Sequence, residues 1–142
     1  MTTPDIIQKI NKIVITSSDD EQSLNRIHEL MDELRGNQDG YLACESLIML
    51  LEKHPNIEFG TPGEPVHTLE SYVGHYEQLL FASLNRIPTY MTVWMLNRII
   101  NGERDLNKWQ KLVDKLKNCS VHNKASDWAK QSAIDFYNFQ TK

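Results

Sequence analysis

Leu24, Ile27, Leu30, Met31 and Leu34 recur at i, i+3, i+6, i+7 and i+10, while Asn25, Arg26, Glu29, Asp32 and Glu33 occupy the other face. Apolar residues three or four apart are the mark of an α-helix with one side toward a core. Ser18 and Glu21 have capping-box spacing before this run, and Gly36 follows as a stop. The pattern returns in six further segments, and that repetition is what restricts the chain to an all-α fold.

A first helix spans about Asp5 to Val14, with Ile6, Ile10 and Ile13 on one side and Pro4 in a first-turn position. Its tail, "IVIT", also suits a strand. The third predicted helix, Gly40 to Lys53, carries Leu42, Leu47, Ile48, Leu50 and Leu51 and ends before His54-Pro55. A fourth, from about Pro65 to Arg86, aligns Val66, Leu69, Val73, Tyr76, Leu80 and Leu84. Pro88 opens a fifth, with Met91, Trp94, Met95 and Ile99 as its stripe and Gly102 near its end. Asp105 caps a sixth, which turns Trp109, Leu112, Val113 and Leu116 inward. The last, Lys124 to Phe139, sets Trp128, Ser132, Phe136 and Phe139 along one side. Trp94, Trp109 and Trp128 read as core anchors of successive helices.

Connections of about 3–8 residues make sequential helices antiparallel neighbours. About seven helices exceed a four-helix bundle, so the expectation is a compact HEAT-like stack of helical hairpins, with an irregular helical bundle as the alternative. "LNRI" occurs at Leu24, Leu84 and Leu96, but these offsets match no common helical-repeat period. At 142 residues, one domain covering 1–142 is expected. A composition of 40% hydrophobic and 24% charged residues excludes a disordered or fibrous chain.

Cys44 and Cys119 have no C-x-x-C partner and suggest free buried thiols rather than zinc or disulfide sites. The N-terminus lacks the basic, apolar and small-residue regions of an export signal, and runs such as "LIMLL" fall short of the roughly 18 residues a membrane span needs. A cytoplasmic protein is the expectation. Charge is divided unevenly: residues 1–71 hold 5 Lys/Arg against 13 Asp/Glu, and residues 72–142 hold 10 against 6. An acidic half steers a basic partner. The lysines of the last third (Lys108, Lys111, Lys115, Lys117, Lys124 and Lys130) are interspersed with Asp114 and Asp127 and read as a solvated face before a nucleic-acid site.

The stretch "GTPGEPVHTLESYVGHYEQLL", Gly60 to Leu80, crowds two prolines, three glycines and two histidines at a helix start. On one long helix His67, Glu70, Ser71 and His75 lie near one face, but the two histidines stand roughly 12 Å apart along the axis, too far to share an ion. No H-E-x-x-H accompanies them. A helix entrance explains the stretch better: Thr61 and Glu64 form a T-x-x-E capping box, and Pro62 or Pro65 sits in the first turn. No G-x-S-x-G, phosphate loop or Cys-His neighbour points to catalysis. Acidic pairs such as Asp19 to Glu21 and Asp32-Glu33 suit helix N-termini and solvent faces. Tyr72, Tyr90 and Tyr137 are candidates for a binding surface.

The block "FGTPGEPVHTLE...Y..LL..SLNRIPTYMTVWMLNRIING", Phe59 to Gly102, resembles the all-helical immunity proteins encoded beside toxins in bacterial contact-dependent inhibition and polymorphic toxin systems. It looks most like the family called immunity protein thirty, through G-x-P-G-x-x-V-H-x-x-E from Gly60 to Glu70 and P-T-x-x-T-V-W-M-L-N-R from Pro88 to Arg98. The resemblance covers about a third of the chain. It implies a protein without catalytic residues, metal or cofactor, which binds a toxin's C-terminal domain, often a basic nuclease and in some cases a tRNA-cleaving one. An acidic helical face plugging a basic groove fits that role by charge complementarity. Glu58, Glu64, His67, Glu70 and Tyr72 are the expected contact residues, with Trp94 and Arg98 holding the scaffold. The rival classes are a small metal-dependent enzyme built on His67, Glu70 or His75, and a nucleic-acid-binding regulator built on the C-terminal lysines.

Overall fold

The structure, a computed structural model, describes residues 1–60 and 63–142. It is all-α: among the described residues there are eight α-helices, one 3₁₀ turn and no strand. The helices are α1 (Thr3–Lys12), α2 (Glu21–Arg35), α3 (Cys44–Lys53), α4 (Glu64–Glu70), α5 (Glu77–Arg86), α6 (Tyr90–Gly102), α7 (Leu106–Ser120) and α8 (Asp127–Gln140), with the 3₁₀ turn over Gly40–Ala43. None is long and apolar enough to cross a membrane. The chain divides into two compact units, Met1–Leu79 and Leu80–Lys142, so the division falls inside α5.

In the first unit α1 touches α2 and α3, and both of these touch α4. The four helices thus close a ring around Ile6, Ile10, Ile27, Leu30, Met31, Leu34, Leu47, Ile48, Leu51 and Leu69, all at most 2% exposed. Each such side chain stabilises the fold by about 1.5–3 kcal/mol through burial. In the second unit each of α6, α7 and α8 touches the other two, most extensively α7 with α8. Of the two arrangements expected, these pairings within each unit are those of an irregular bundle.

Local chemistry sets the boundaries. Thr2 caps α1 by accepting from the Asp5 N–H, and the "IVIT" tail is extended after Lys12 without pairing as a strand. The expected Ser18–Glu21 box does not cap α2. Asp20 does, accepting from the Ser23 N–H at 3.2 Å and the Thr16 N–H at 3.1 Å, while the Ser18 hydroxyl accepts from the Glu58 N–H at 3.0 Å. Hydrogen bonds from Thr16 and Ser23 lower the Asp20 pKa.

The predicted helix from Gly40 begins instead as the 3₁₀ turn, and Leu42 points out, 54% exposed. A Cβ at Gly40 would fall 2.3 Å from the Tyr72 hydroxyl oxygen and 2.7 Å from the Leu34 carbonyl oxygen, so only glycine fits there.

The long helix from Pro65 to Arg86 is also broken. α4 ends at Glu70 with Ser71 as its C-cap; Gly74, at φ +92, then turns the chain, and its N–H donates to the Glu77 carboxylate at 2.8 Å where α5 begins. Val73, expected inward, is 73% exposed as a result, whereas Tyr76, Leu80 and Leu84 are buried as predicted. Thr61 and Pro62 lie outside the described residues, so their part in the capping box does too; Gly63 is the N-cap residue of α4, with no side-chain cap bond.

Later boundaries follow ordinary caps: the Thr89–Thr92 capping box for α6, Asp105 for α7 and Ser126 for α8. The inward residues of α8 are Ala129, Ser132 and Ala133; of the predicted stripe Ser132 is buried as expected, whereas Phe136 is half-buried, Trp128 39% and Phe139 60% exposed. Small residues at i, i+3 and i+4 let α8 lie close to α7, leaving no room for a wide ring. The tryptophans are therefore not core anchors. Trp94 and Trp109 are half-buried, and Trp128 stacks on Tyr90 with centroids 4.1 Å apart and planes at 9°.

Candidate functional site

Division by unit sharpens the charge asymmetry. Met1–Leu79 holds 5 Lys/Arg against 14 Asp/Glu, and Leu80–Lys142 holds 10 against 5. In the first unit, α2 turns its buried stripe inward and presents Glu21, Glu29, Asp32 and Glu33 to solvent. Its two arginines are already engaged: Arg26 with Glu29 at 3.2 Å, and Arg35 with Asp32 and Glu64.

Arg35 belongs to a ring of four side chains that ties α2 to α4. Its Nη1 donates to Glu64 Oε2 and to Thr68 Oγ1, both at 2.9 Å, and its Nη2 donates to Asp32 Oδ1. The second oxygens of the two carboxylates face His28, with Nε2 at 3.5 Å from Asp32 Oδ2 and Nδ1 at 3.4 Å from Glu64 Oε1. Partial burial opposes the Arg35 charge, yet the bonds and attraction from Glu64 and Asp32 outweigh it and raise its pKa. With a neutral histidine the ring carries one net negative charge in a fixed position. An open groove of about 430 Å³ runs along the N-terminal part of α2, lined by Ile13, Val14, Gln22, Ser23, Asn25, Arg26 and Glu29.

Of the residues predicted from sequence, Glu64 enters this ring at half-burial and His67, one turn later on α4, is exposed. Glu58 is exposed, its backbone fixed to Ser18. Glu70 is half-buried at the last position of α4. Tyr72 is placed differently from a contact tyrosine: its hydroxyl is buried against Gly40 and has no hydrogen-bond partner among the described residues, and burial raises its pKa. His75 lies beyond the break after α4 and stacks on Tyr41, with centroids at 4.3 Å, so it does not share a helix face with His67. Among the described residues no three His, Cys, Asp or Glu side chains gather as a metal site. Burial pushes both thiols up, Cys44 and Cys119 alike to about 11.

The α2 face was not among the residues singled out as contacts, although its signal was in the sequence. The polar positions of the most regular helix carry four of the first unit's acids. What the sequence could not show is that Arg35 consumes charge from α4 as well as from its own helix. Comparison with known proteins adds no guide: no family model, curated protein or solved structure matches the chain.

Proposed function

We propose that this chain is an immunity protein that binds the C-terminal toxin domain of a contact-dependent inhibition or polymorphic toxin in the cytoplasm and blocks it. A nuclease is the toxin class that suits the charge, tRNA-cleaving enzymes included, because an enzyme acting on a polyanion carries a basic groove. One observation supports the reading: on α2 the exposed carboxylates of Glu21, Glu29, Asp32 and Glu33 outnumber Arg26 and Arg35, which pair with Glu29 and with Asp32 and Glu64, while Glu33 meets the Met1 ammonium. Such a surface speeds encounter with a basic cleft and selects it over neutral or acidic partners. The fixed carboxylates of Asp32 and Glu64 need no reordering on contact, which lowers the entropic cost of binding. The resemblance over Phe59 to Gly102 supports the same class from a different part of the chain.

Co-expression with the product of the adjacent gene, followed by pull-down and a growth-protection assay, tests the reading. A stable complex and surviving cells are expected. The double variant Glu29→Gln/Glu33→Gln should weaken the complex about tenfold at unchanged melting temperature, as loss of exposed contact charges does. Absence of both complex and protection sinks the proposal, and stoichiometric zinc in the purified protein would direct attention to a metal enzyme instead.

A further inference from the structure

Two helices of equal length carry opposite charge at the ends where their own dipoles disfavour it. On α7, 15 residues long, Lys108, Lys111 and Lys115 follow at i, i+3 and i+7, with Lys117 nearby. Lys108 and Lys111 are exposed in the N-terminal half, and Lys108 lies in the first turn, next to the positive end of the macrodipole. On α2, also 15 residues long, Asp32 and Glu33 are exposed in the last turn, next to the negative end. On α2 the placement is partly offset, because Asp32 pairs with Arg35 and His28 and Glu33 meets the Met1 ammonium at 3.4 Å; no ion pair offsets Lys108 or Lys111 among the described residues.

The lysines are also unspent. Among the described residues Lys108, Lys111 and Lys117 hold no ion pair, and Lys115 rests its ammonium 5.0 Å from the centroid of the Phe81 ring. Asp114, on the same helix, takes its hydrogen bond from the Gln110 amide at 3.0 Å, and Asp105 is used as the cap.

We propose that the α7 lysine face of one copy docks on the α2 carboxylate face of a second copy. Laid with the N-terminal half of α7 against the C-terminal half of α2, the two faces match in charge, and each relieves the other's dipole mismatch. A second copy fits better than nucleic acid: the stripe is flanked by Asp105 and Asp114, and the whole chain carries a net charge of −4, which repels a polyanion. The contact pairs different surfaces, so it is heterologous and grows into rings or chains. It requires no toxin. It occupies the surface assigned above to the toxin, so the two contacts exclude one another.

Sedimentation equilibrium of the nuclease-treated chain alone tests this at low and high salt. In about 20 mM salt, where screening is weak, the mass should rise with concentration above the 16.5 kDa monomer, and the association constant should fall at least about tenfold by roughly 500 mM. Glu29→Lys/Glu33→Lys and Lys108→Glu/Lys111→Glu should each be monomeric, whereas their equimolar mixture should associate, because each then offers the charge the other lacks. Circular dichroism melts check folding; if a reversal variant unfolds, the Gln versions of the same pairs should weaken association of the folded chain. A wild-type chain that stays monomeric in low salt, single variants that still associate, or a mixture that does not would overturn the proposal. So would association that disappears on nuclease treatment, which would assign the lysines to nucleic acid.

Discussion

The two units solve the same packing problem with different residues. In Met1–Leu79 the helices meet through large aliphatic side chains, and the α2–α4 contact is closed on its rim by Arg35, Asp32, Glu64 and His28. In Leu80–Lys142 the last helix meets its neighbours through Ala129, Ser132 and Ala133, and its aromatic rings stack at the surface. The acids Asp114 and Asp135 bond to Gln110 and Gln131 and not to the lysines around them. One unit therefore binds its arginines into its own structure, and the other leaves its lysines for the outside. The exposed acids of the first unit are also partly engaged within it, Glu29 with Arg26, Asp32 with Arg35 and Glu33 with the Met1 ammonium, so the surplus of charge there is smaller than the count of acids.

The sharpest way to break the comparison is to attack each core by the means it cannot absorb. Leu30→Ala empties a fully buried site in the first unit and should cost about 2–5 kcal/mol, the range for truncations that leave a cavity. Ala133→Leu adds volume where α8 needs a small residue and should cost about 1–3 kcal/mol by overpacking. Urea denaturation measures both. A neutral Ala133→Leu would show that the contact of α7 with α8 has slack and that small residues do not set it.

A smaller effect tests the seam between the 3₁₀ turn and the segment after α4. Gly40→Ala brings a methyl group onto the Tyr72 hydroxyl and the Leu34 carbonyl, and should cost about 1–3 kcal/mol. Tyr72→Phe removes a buried hydroxyl that has no partner among the described residues, so it should be neutral or slightly stabilising. The double variant should recover part of the Gly40→Ala loss, and the remainder belongs to the Leu34 carbonyl, which cannot be mutated away. Strictly additive losses would mean that the hydroxyl and the glycine do not meet.

Much of this architecture was legible in advance, and the failures share a cause. The inward stripe of α2 was read correctly at Ile27, Leu30, Met31 and Leu34, because large apolar residues repeat there at helical spacing with no rival choice, while Leu24, in the first turn, is only half-buried. Asp105 as the cap of α7 was read correctly because a cap acts within one turn of chain. The break at Gly74 was missed because Val73 and Tyr76 keep the helical period on both sides of it, and periodicity does not register one residue at positive φ. The stripe of α8 was misread because hydrophobicity ranks tryptophan above alanine, whereas close packing of two helices selects for small size. For the candidate site, net charge pointed to the acid-rich unit. The pairing that fixes Glu64 beside Asp32 joins residues on different helices, and spacing along a chain carries no information about such a meeting.

The two cysteines extend the comparison to its smallest observable. Cys44 and Cys119 are 1% and 3% exposed, and burial raises both pKa values to about 11 from 9.0. At neutral pH both are thiols, which are far weaker nucleophiles than thiolates. Their surroundings nonetheless differ. Cys119 lies on the wall of a cavity of about 110 Å³ formed with Leu84, Asn85, Lys115, Asn118 and His122, and the nearby Lys115 ammonium pulls against the upward shift. Cys44 has Glu77 in place of a cation, which adds to the shift. In the folded protein iodoacetamide should therefore modify Cys119 several-fold faster than Cys44, with both much slower than in urea, as mass spectrometry of quenched samples would show. The linkage has a definite sign. Because the folded thiols hold their protons to higher pH than the unfolded ones, their contribution to stability is complete below about pH 9 and is lost as pH rises toward 11. Equal labelling rates, or Cys44 reacting first, would mean that the cavity beside α7 does not admit reagent and that the thiols of the two units are protected alike.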